Sequence, residues 1–239
     1  MHIKAPCQRA ALWIVLSLAC HGPVAAQWMG ADYAAWGAPA SSFGSASFLN
    51  ATILNGGSAK GKKSGSHSAA PLPHLQAPGQ GLSAQSLQQL STRFPPERRA
   101  RAEKAFKDAF ATYSKLESKL DLPRQDLGVA MAAFIAGNYM ALHDKAVPDD
   151  HFRHLAHQMR RALSSNAALK RASAGERRAL YEQFATIGTF MAIAQLEFQR
   201  QPNLQAQEKF QETARQQLEQ LLNTPADRVR ITRTGLSLG

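Results

Sequence analysis

The sequence predicts an all-α bundle of five helices with a short C-terminal β element, preceded by a disordered arm. Three observations predict it. From Ser91 onward apolar residues recur at spacings of three and four, the signature of helices that bury one face. Pro, Asp and Asn punctuate that pattern where helices start and stop. Ahead of Ser91, by contrast, more than half of residues 27–92 are Gly, Ala, Ser or Pro, a composition that buries too little apolar surface to offset its ordering entropy.

The first helix starts at Pro96, with Glu97 in its first turn, and carries Phe106, Ala109, Phe110, Tyr113, Leu116 and Leu120 on one face. Residues 121–123 stop it. The second runs from Asp126, an N-cap residue, to His143 and is apolar nearly all round, as expected of a central buried helix and too short to span a bilayer. Val147-Pro148-Asp149 opens the third, striped by Phe152, Leu155, Ala156, Met159 and Leu163. The fourth spans about residues 174–200 with Leu180, Phe184, Ile187, Met191 and Phe198 inward; Gly188 lies in that arc, where a missing side chain lets another helix cross closely. Pro202-Asn203 separates it from a fifth, Gln-rich helix ending near Asn223, with Ala206, Phe210, Ala214 and Leu221 on a thin stripe. The alternation over residues 228–232 reads as a strand, to be partnered either by residues 236–238 or by the apolar patch of residues 48–54 (FLNATIL).

The chain's start reads as an export signal over residues 1–26. Lys4 and Arg9 precede the apolar run of residues 10–19, and Val24-Ala25-Ala26 offers a cleavage site after Ala26. The competing reading, lipidation at Cys20, is disfavoured by Ser17 where a lipobox carries Leu. Both cysteines, Cys7 and Cys20, would leave with the signal, which excludes a disulfide scaffold and a cysteine nucleophile in a periplasmic or secreted product. Residues 27–92 form the arm and 93–239 the helical domain. Trp28, Tyr33 and Trp36 cluster near the new N-terminus and are candidates for docking on a partner, as disordered arms that fold on binding do.

Residues 94–239 resemble an uncharacterised domain-of-unknown-function family of exported bacterial helical proteins. The resemblance is carried by Tyr113-x-x-Leu116-Glu117-x-x-Leu120, by Leu122-Pro123-Arg124-x-Asp126 and by the stretch at residues 132–139 (AAFIAGNY). Val147-Pro148-Asp149 and the closing Arg228-Val229-x-Ile231-Thr232-x-x-Gly235-Leu236 add to it. It implies an exported helical domain and brings no activity with it.

Candidate chemistry is sparse. His151, His154 and His157, with Asp150 and Asp149 beside them, have the i, i+3 and i, i+4 spacing of helical metal ligands. At about 100° per residue, however, they lie opposite the apolar stripe, in an exposed half shared with Arg153, Arg160 and Arg161. Glu117, Asn138 and Gln195 interrupt apolar faces, where a polar group must be paired or carry function. Glu117 reads either as a general base in a pocket or, preferably, as part of a register-setting network with Arg124 or Asn138, joined by the hydroxyls of Tyr113, Tyr139 or Tyr181. No phosphate loop, nucleophile elbow or zinc motif is present, and nothing calls for a cofactor.

With 28 Lys plus Arg against 17 Asp plus Glu, the net charge is +11. The basic residues are spread in pairs such as Arg98-Arg99, Arg160-Arg161, Lys170-Arg171 and Arg177-Arg178. That bias suits an anionic surface and disfavours nucleic acid, which needs a focused patch. The expected function is an exported binding or interaction module for an unidentified protein or envelope component. Its alternatives are a small hydrolase or metal-dependent enzyme using Glu117 or the histidines, and a binder of anionic envelope surfaces.

Overall fold

A computed structural model describes residues 72–239. The proposed signal, the Cys20 site, the aromatic cluster Trp28, Tyr33 and Trp36, and the patch at residues 48–54 lie outside the described residues. Within them the chain is mostly helical and ends in a two-stranded antiparallel sheet. Seven helices are present among the described residues instead of five. All five expected ones form: α2 (Pro96–Lys119), α3 (Leu127–His143), α4 (Asp149–Ser164), α6 (Ala174–Arg200) and α7 (Leu204–Leu222). The additions are α1 (Ala84–Ser91) and the single-turn α5 (Ala167–Arg171).

Both extra helices are local consequences of capping. The Ser83 hydroxyl accepts from Ser86 N–H at 3.2 Å to start α1, and Asn166 Oδ1 accepts from Leu169 N–H at 2.9 Å to start α5. Because α1 lies inside the stretch expected to be arm, the domain begins earlier than residue 93. Leu75, Ala77, Leu87 and Leu90 are all buried in the common core. The low apolar content of residues 72–92 sufficed because Leu75 packs from the strap and Leu87 and Leu90, three apart, share the inner side of α1.

Helix α3 sits at the centre, contacting α4, α6 and α7, and its pairing with α6 is the most extensive among the described elements. Almost every α3 residue is buried, as its all-round apolar sequence requires. Two glycines make the crossing possible. A Cβ on Gly137 would lie 1.9 Å from the Gly188 carbonyl oxygen, and one on Gly188 would lie 2.4 Å from the carbonyl of Ala133. The backbones therefore touch, as the position of Gly188 leads one to expect. Around them Phe134 and Phe184 meet edge to face at 5.4 Å, and Phe106 packs on Phe190 at 5.3 Å.

The terminal strand pairs with the residues that follow it. β1 (Val229–Thr232) and β2 (Gly235–Leu238) form a hairpin in the register Val229↔Leu238 and Ile231↔Leu236. Val229 and Ile231 face the core. The outer edge of β2 is closed by one side chain of α4: the Gln158 amide donates to Leu236 O at 3.0 Å and accepts from Leu236 N–H at 2.6 Å. A glutamine thus stands in for a third strand. Gly235, at φ +105°, adopts a backbone conformation that L side chains rarely take, and a Cβ there would meet Gln158 Oε1 at 2.4 Å.

Because neither backbone can yield at the α3–α6 contact, Gly137→Ala should cost at least about 3 kcal/mol in denaturant unfolding or abolish folding. Gly175→Ala, where a Cβ meets only Ser173 Oγ at 4.0 Å, should change stability by about 1 kcal/mol or less.

Candidate functional site

Of the three polar residues singled out on apolar faces, Glu117 alone lies where the α2–α3 turn meets the first turns of α6. Glu117, on the last turn of α2, is 3 % exposed. Tyr181 of α6 donates its hydroxyl to both carboxylate oxygens at 3.2 Å, and Gln125 N–H donates to Oε1 at 3.1 Å. Neither Arg124 nor Asn138 is its partner, so the pairings expected from sequence are corrected; of the tyrosines considered, Tyr181 binds directly. Tyr113, one turn before Glu117, is fully buried and edge-on to Tyr181 at 5.8 Å. Its hydroxyl is close enough to favour the ionised carboxylate but closes no hydrogen bond.

No cation among the described residues pairs with Glu117. Burial therefore dominates and pushes its carboxyl up to about 7, against the opposing influence of the Tyr113 hydroxyl and the hydrogen bonds from Tyr181 and Gln125, and with a further push from Asp126. Burial and the neighbouring Glu117 in turn raise both Tyr113 and Tyr181 above the ordinary tyrosine value. A raised carboxyl fits a general base, yet the group is sealed. The nearby apolar groove, about 40 Å³ between α2, α3 and α6, is lined by Thr112, Leu116, Gly137 and Ile193 and does not include Glu117.

Asp126 has two tasks. Its Oδ1 caps α3, accepting from Gly128 N–H at 2.9 Å and Val129 N–H at 3.2 Å, as expected. Its Oδ2 accepts from Arg160 Nε at 2.8 Å in an ion pair buried on both sides. Burial outweighs Arg160 and holds the carboxyl above its usual value. Arg160 is therefore not on the exposed half of α4 with the histidines, and Gly128 is what admits it: a Cβ there would fall 2.6 Å from Arg160 Cγ.

A third set holds residues 72–83, the strap that leads into α1. Arg178 donates to Ala77 O at 2.9 Å and also to Gly81 O, while its Nε meets Glu182 at 2.6 Å. Arg177 donates to Gln76 O at 3.2 Å, and Gln125 Nε2 to Gly79 O at 2.6 Å. Glu182 accepts from both the N–H and the hydroxyl of Ser83. Arg160, Arg177 and Arg178, which sequence placed among solvated basic pairs, thus serve internal contacts.

The remaining candidates are not brought together. Among the described residues no three His, Cys, Asp or Glu converge in a way that could hold a metal ion. His154 is exposed and its Nδ1 meets the carbonyl of Asp150 at 2.7 Å, not the carboxylate. His157 is held below the usual histidine value by burial and by Arg160, Arg161 and His154. Asn138 is wholly buried, donates back to Phe134 O at 2.9 Å and leaves its own carbonyl unpartnered. Gln195 donates to Asp144 at the end of α3, which also accepts from Gln199 at 2.7 Å. No helix among the described residues is long and apolar enough to cross a membrane.

Removing Arg160 while keeping its volume isolates a buried carboxylate. Arg160→Met should destabilise the protein by about 3–5 kcal/mol, and adding Asp126→Asn should restore most of the loss, measured by urea unfolding of both variants.

No curated protein and no solved structure matches the chain. One family model does, and it reaches well ahead of the C-terminal part on which the resemblance was recognised. It covers residues 6–239, so the protein belongs to the family of unknown function DUF6683.

Proposed function

We propose that the protein is an exported, non-enzymatic interaction module in which the helical bundle anchors an N-terminal arm that takes the partner. The observation that carries this reading is the strap. Just where the arm joins the bundle, four backbone carbonyls within six residues, those of Gln76, Ala77, Gly79 and Gly81, are held by Arg177, Arg178 and Gln125. Recognition through carbonyls fixes the path of the chain without depending on its side chains. A root fastened in this way gives a long arm a defined point of departure. The aromatic residues Trp28, Tyr33 and Trp36 are the side chains in that arm best suited to bury area on a partner at low entropic cost.

The enzymatic alternatives draw less support from the geometry. Glu117 is closed off from solvent, with its oxygens already occupied by Tyr181 and Gln125. A general base must instead come within hydrogen-bonding reach of a substrate proton. The anionic-surface alternative loses Arg160, Arg177 and Arg178 to internal bonds.

The test is capture of partners from the native envelope by three forms of the protein: the whole chain, the chain lacking residues 27–71, and a Trp28→Ala/Trp36→Ala variant. The second form keeps Leu75, Leu87 and Leu90 in the core and should unfold at the same temperature as the whole chain. The expected result is a specific partner that cross-links to the whole chain and is lost, by at least tenfold, from the other two. Equal capture by the bundle without residues 27–71 would move the docking site onto the helices and end this reading.

A further inference from the structure

Gln125 links two parts of the molecule that otherwise have separate supports. Its N–H is taken by Glu117, its C=O accepts from Ala77 N–H at 2.9 Å, and its side chain reaches Gly79 O. An isolated antiparallel bridge, Gln76↔Asp126, lies beside it. Gln125 also has φ +55°, and Asp121, at the start of the same turn, has φ +51°. Such left-handed conformations in non-glycine residues persist only where surrounding contacts enforce them. Glu117 supplies that enforcement from inside: its backbone C=O accepts from Leu122 N–H at 3.0 Å, and its side chain from Gln125.

We infer that Glu117, with Tyr113 and Tyr181, is a proton-operated latch on the strap: protonated, it holds the 121–125 turn and residues 72–83 against the bundle, and ionised, it loosens both. The groups facing the carboxyl explain why charge matters here. From α2 comes Tyr113, from α6 comes Tyr181 flanked by Arg178 and Glu182, and from the turn come Gln125 N–H and Asp126, whose own charge is matched by Arg160 of α4. Arg178 is committed to Glu182 and the strap carbonyls, and Arg160 to Asp126. The carboxylate is left with dipoles only. A neutral carboxylic acid escapes the charge-burial cost in this setting and still accepts from Gln125 N–H and the Tyr181 hydroxyl through its carbonyl oxygen. An unpaired buried carboxylate favours any conformation that lets water in. The side of Glu117 that opens most readily is the short turn, which carries the strap's contacts with it.

The sign follows from the direction of the perturbation. The carboxyl titrates at about 7 when buried and at 4.5 when free, so the closed latch binds its proton more tightly than the open one. Latching is then fully supported below about pH 4.5, weakens between there and pH 7, and stays weak above. This runs opposite to ordinary acid denaturation, in which paired carboxylates lose their partners as pH falls. An exported chain meeting a mildly acidic surrounding would hold its arm's root more firmly there than at neutral pH.

Hydrogen exchange of the whole chain, corrected for the intrinsic pH dependence of exchange, tests the latch. The amides of Ala77 and Gln125 are the reporters, and those in the middle of α3 are the reference. Between pH 5 and 7.5 the reporters should lose protection by roughly one to two orders of magnitude while the reference amides hold theirs. Glu117→Gln, which is neutral at every pH, should abolish that slope. A flat profile in the unaltered chain, a slope that survives in Glu117→Gln, or parallel loss in α3 would each overturn the latch, the last by making the effect global. Should Glu117→Gln not fold, Tyr113→Phe serves. It keeps the carboxyl and removes a hydroxyl that favours its ionised form, so the midpoint of the reporter profile should move to higher pH. An unmoved midpoint would also overturn the proposal.

Discussion

Contact between the backbones of α3 and α6 is the constraint on which the rest of the structure depends. Two helices that meet at Gly137 and Gly188 are fixed in both spacing and register, since only a glycine on each side permits the approach. The consequences spread along both axes. Phe134 and Phe184 flank the crossing, and the direction in which α6 runs then decides where its first two turns arrive. Those turns carry Arg177, Arg178, Tyr181 and Glu182, so the crossing point delivers the whole polar cluster to the α2–α3 turn. A shift of α6 by one residue would present a different set of side chains to Glu117 and to the strap.

Buried polar groups then divide by whether a cation accompanies them. Asp126 has Arg160, and Glu182 has Arg178; each ion pair is also tied to backbone groups, by the cap of α3 in one case and by Ser83 and the strap carbonyls in the other. Such pairs add little net stability beyond hydrophobic replacements but are costly to break, which makes them effective at specifying one arrangement. Glu117 has no such partner. The three carboxylates lie within one region of the core, and Glu117 is the one of them whose charge no cation offsets.

Much of this architecture was legible in the sequence because periodicity reports burial directly. The stripes of α2, α4, α6 and α7 and the all-round apolar α3 placed the five long helices, and Asp126 and Gly188 announced a cap and a crossing. What the sequence concealed was decided by tertiary contacts. Leu75, Leu87 and Leu90 are too few to stand out among Ser, Gln and Gly, but α1 packs on α2 and α6 and the turn at Leu75 packs on α4 and α5, so a few apolar side chains suffice to order the stretch that carries them. Arg160 follows Ala156 by one turn and so lies at the edge of the apolar stripe, where charge argued for solvent. The deciding clue was remote: Gly128, two residues after the cap, leaves room on α3 for an arginine and has no other evident role.

Glu117 illustrates a different limit. Its place within an apolar stripe identified it as informative, and the hydrogen-bond requirement of a buried carboxylate demanded partners nearby. Sequence proximity suggested Arg124, which would have made an ordinary ion pair and fixed the charge. The turn instead bends through two left-handed residues, Asp121 and Gln125, and it is the backbone N–H of Gln125, not the Arg124 side chain, that comes to the carboxylate. Substituting a dipole for a cation at that one position changes the character of the site. A paired carboxylate would be permanently ionised and purely architectural, whereas this one keeps both protonation states accessible near neutrality. The same two backbone torsions that hide the pairing from a reading of the sequence therefore give the turn its sensitivity to pH.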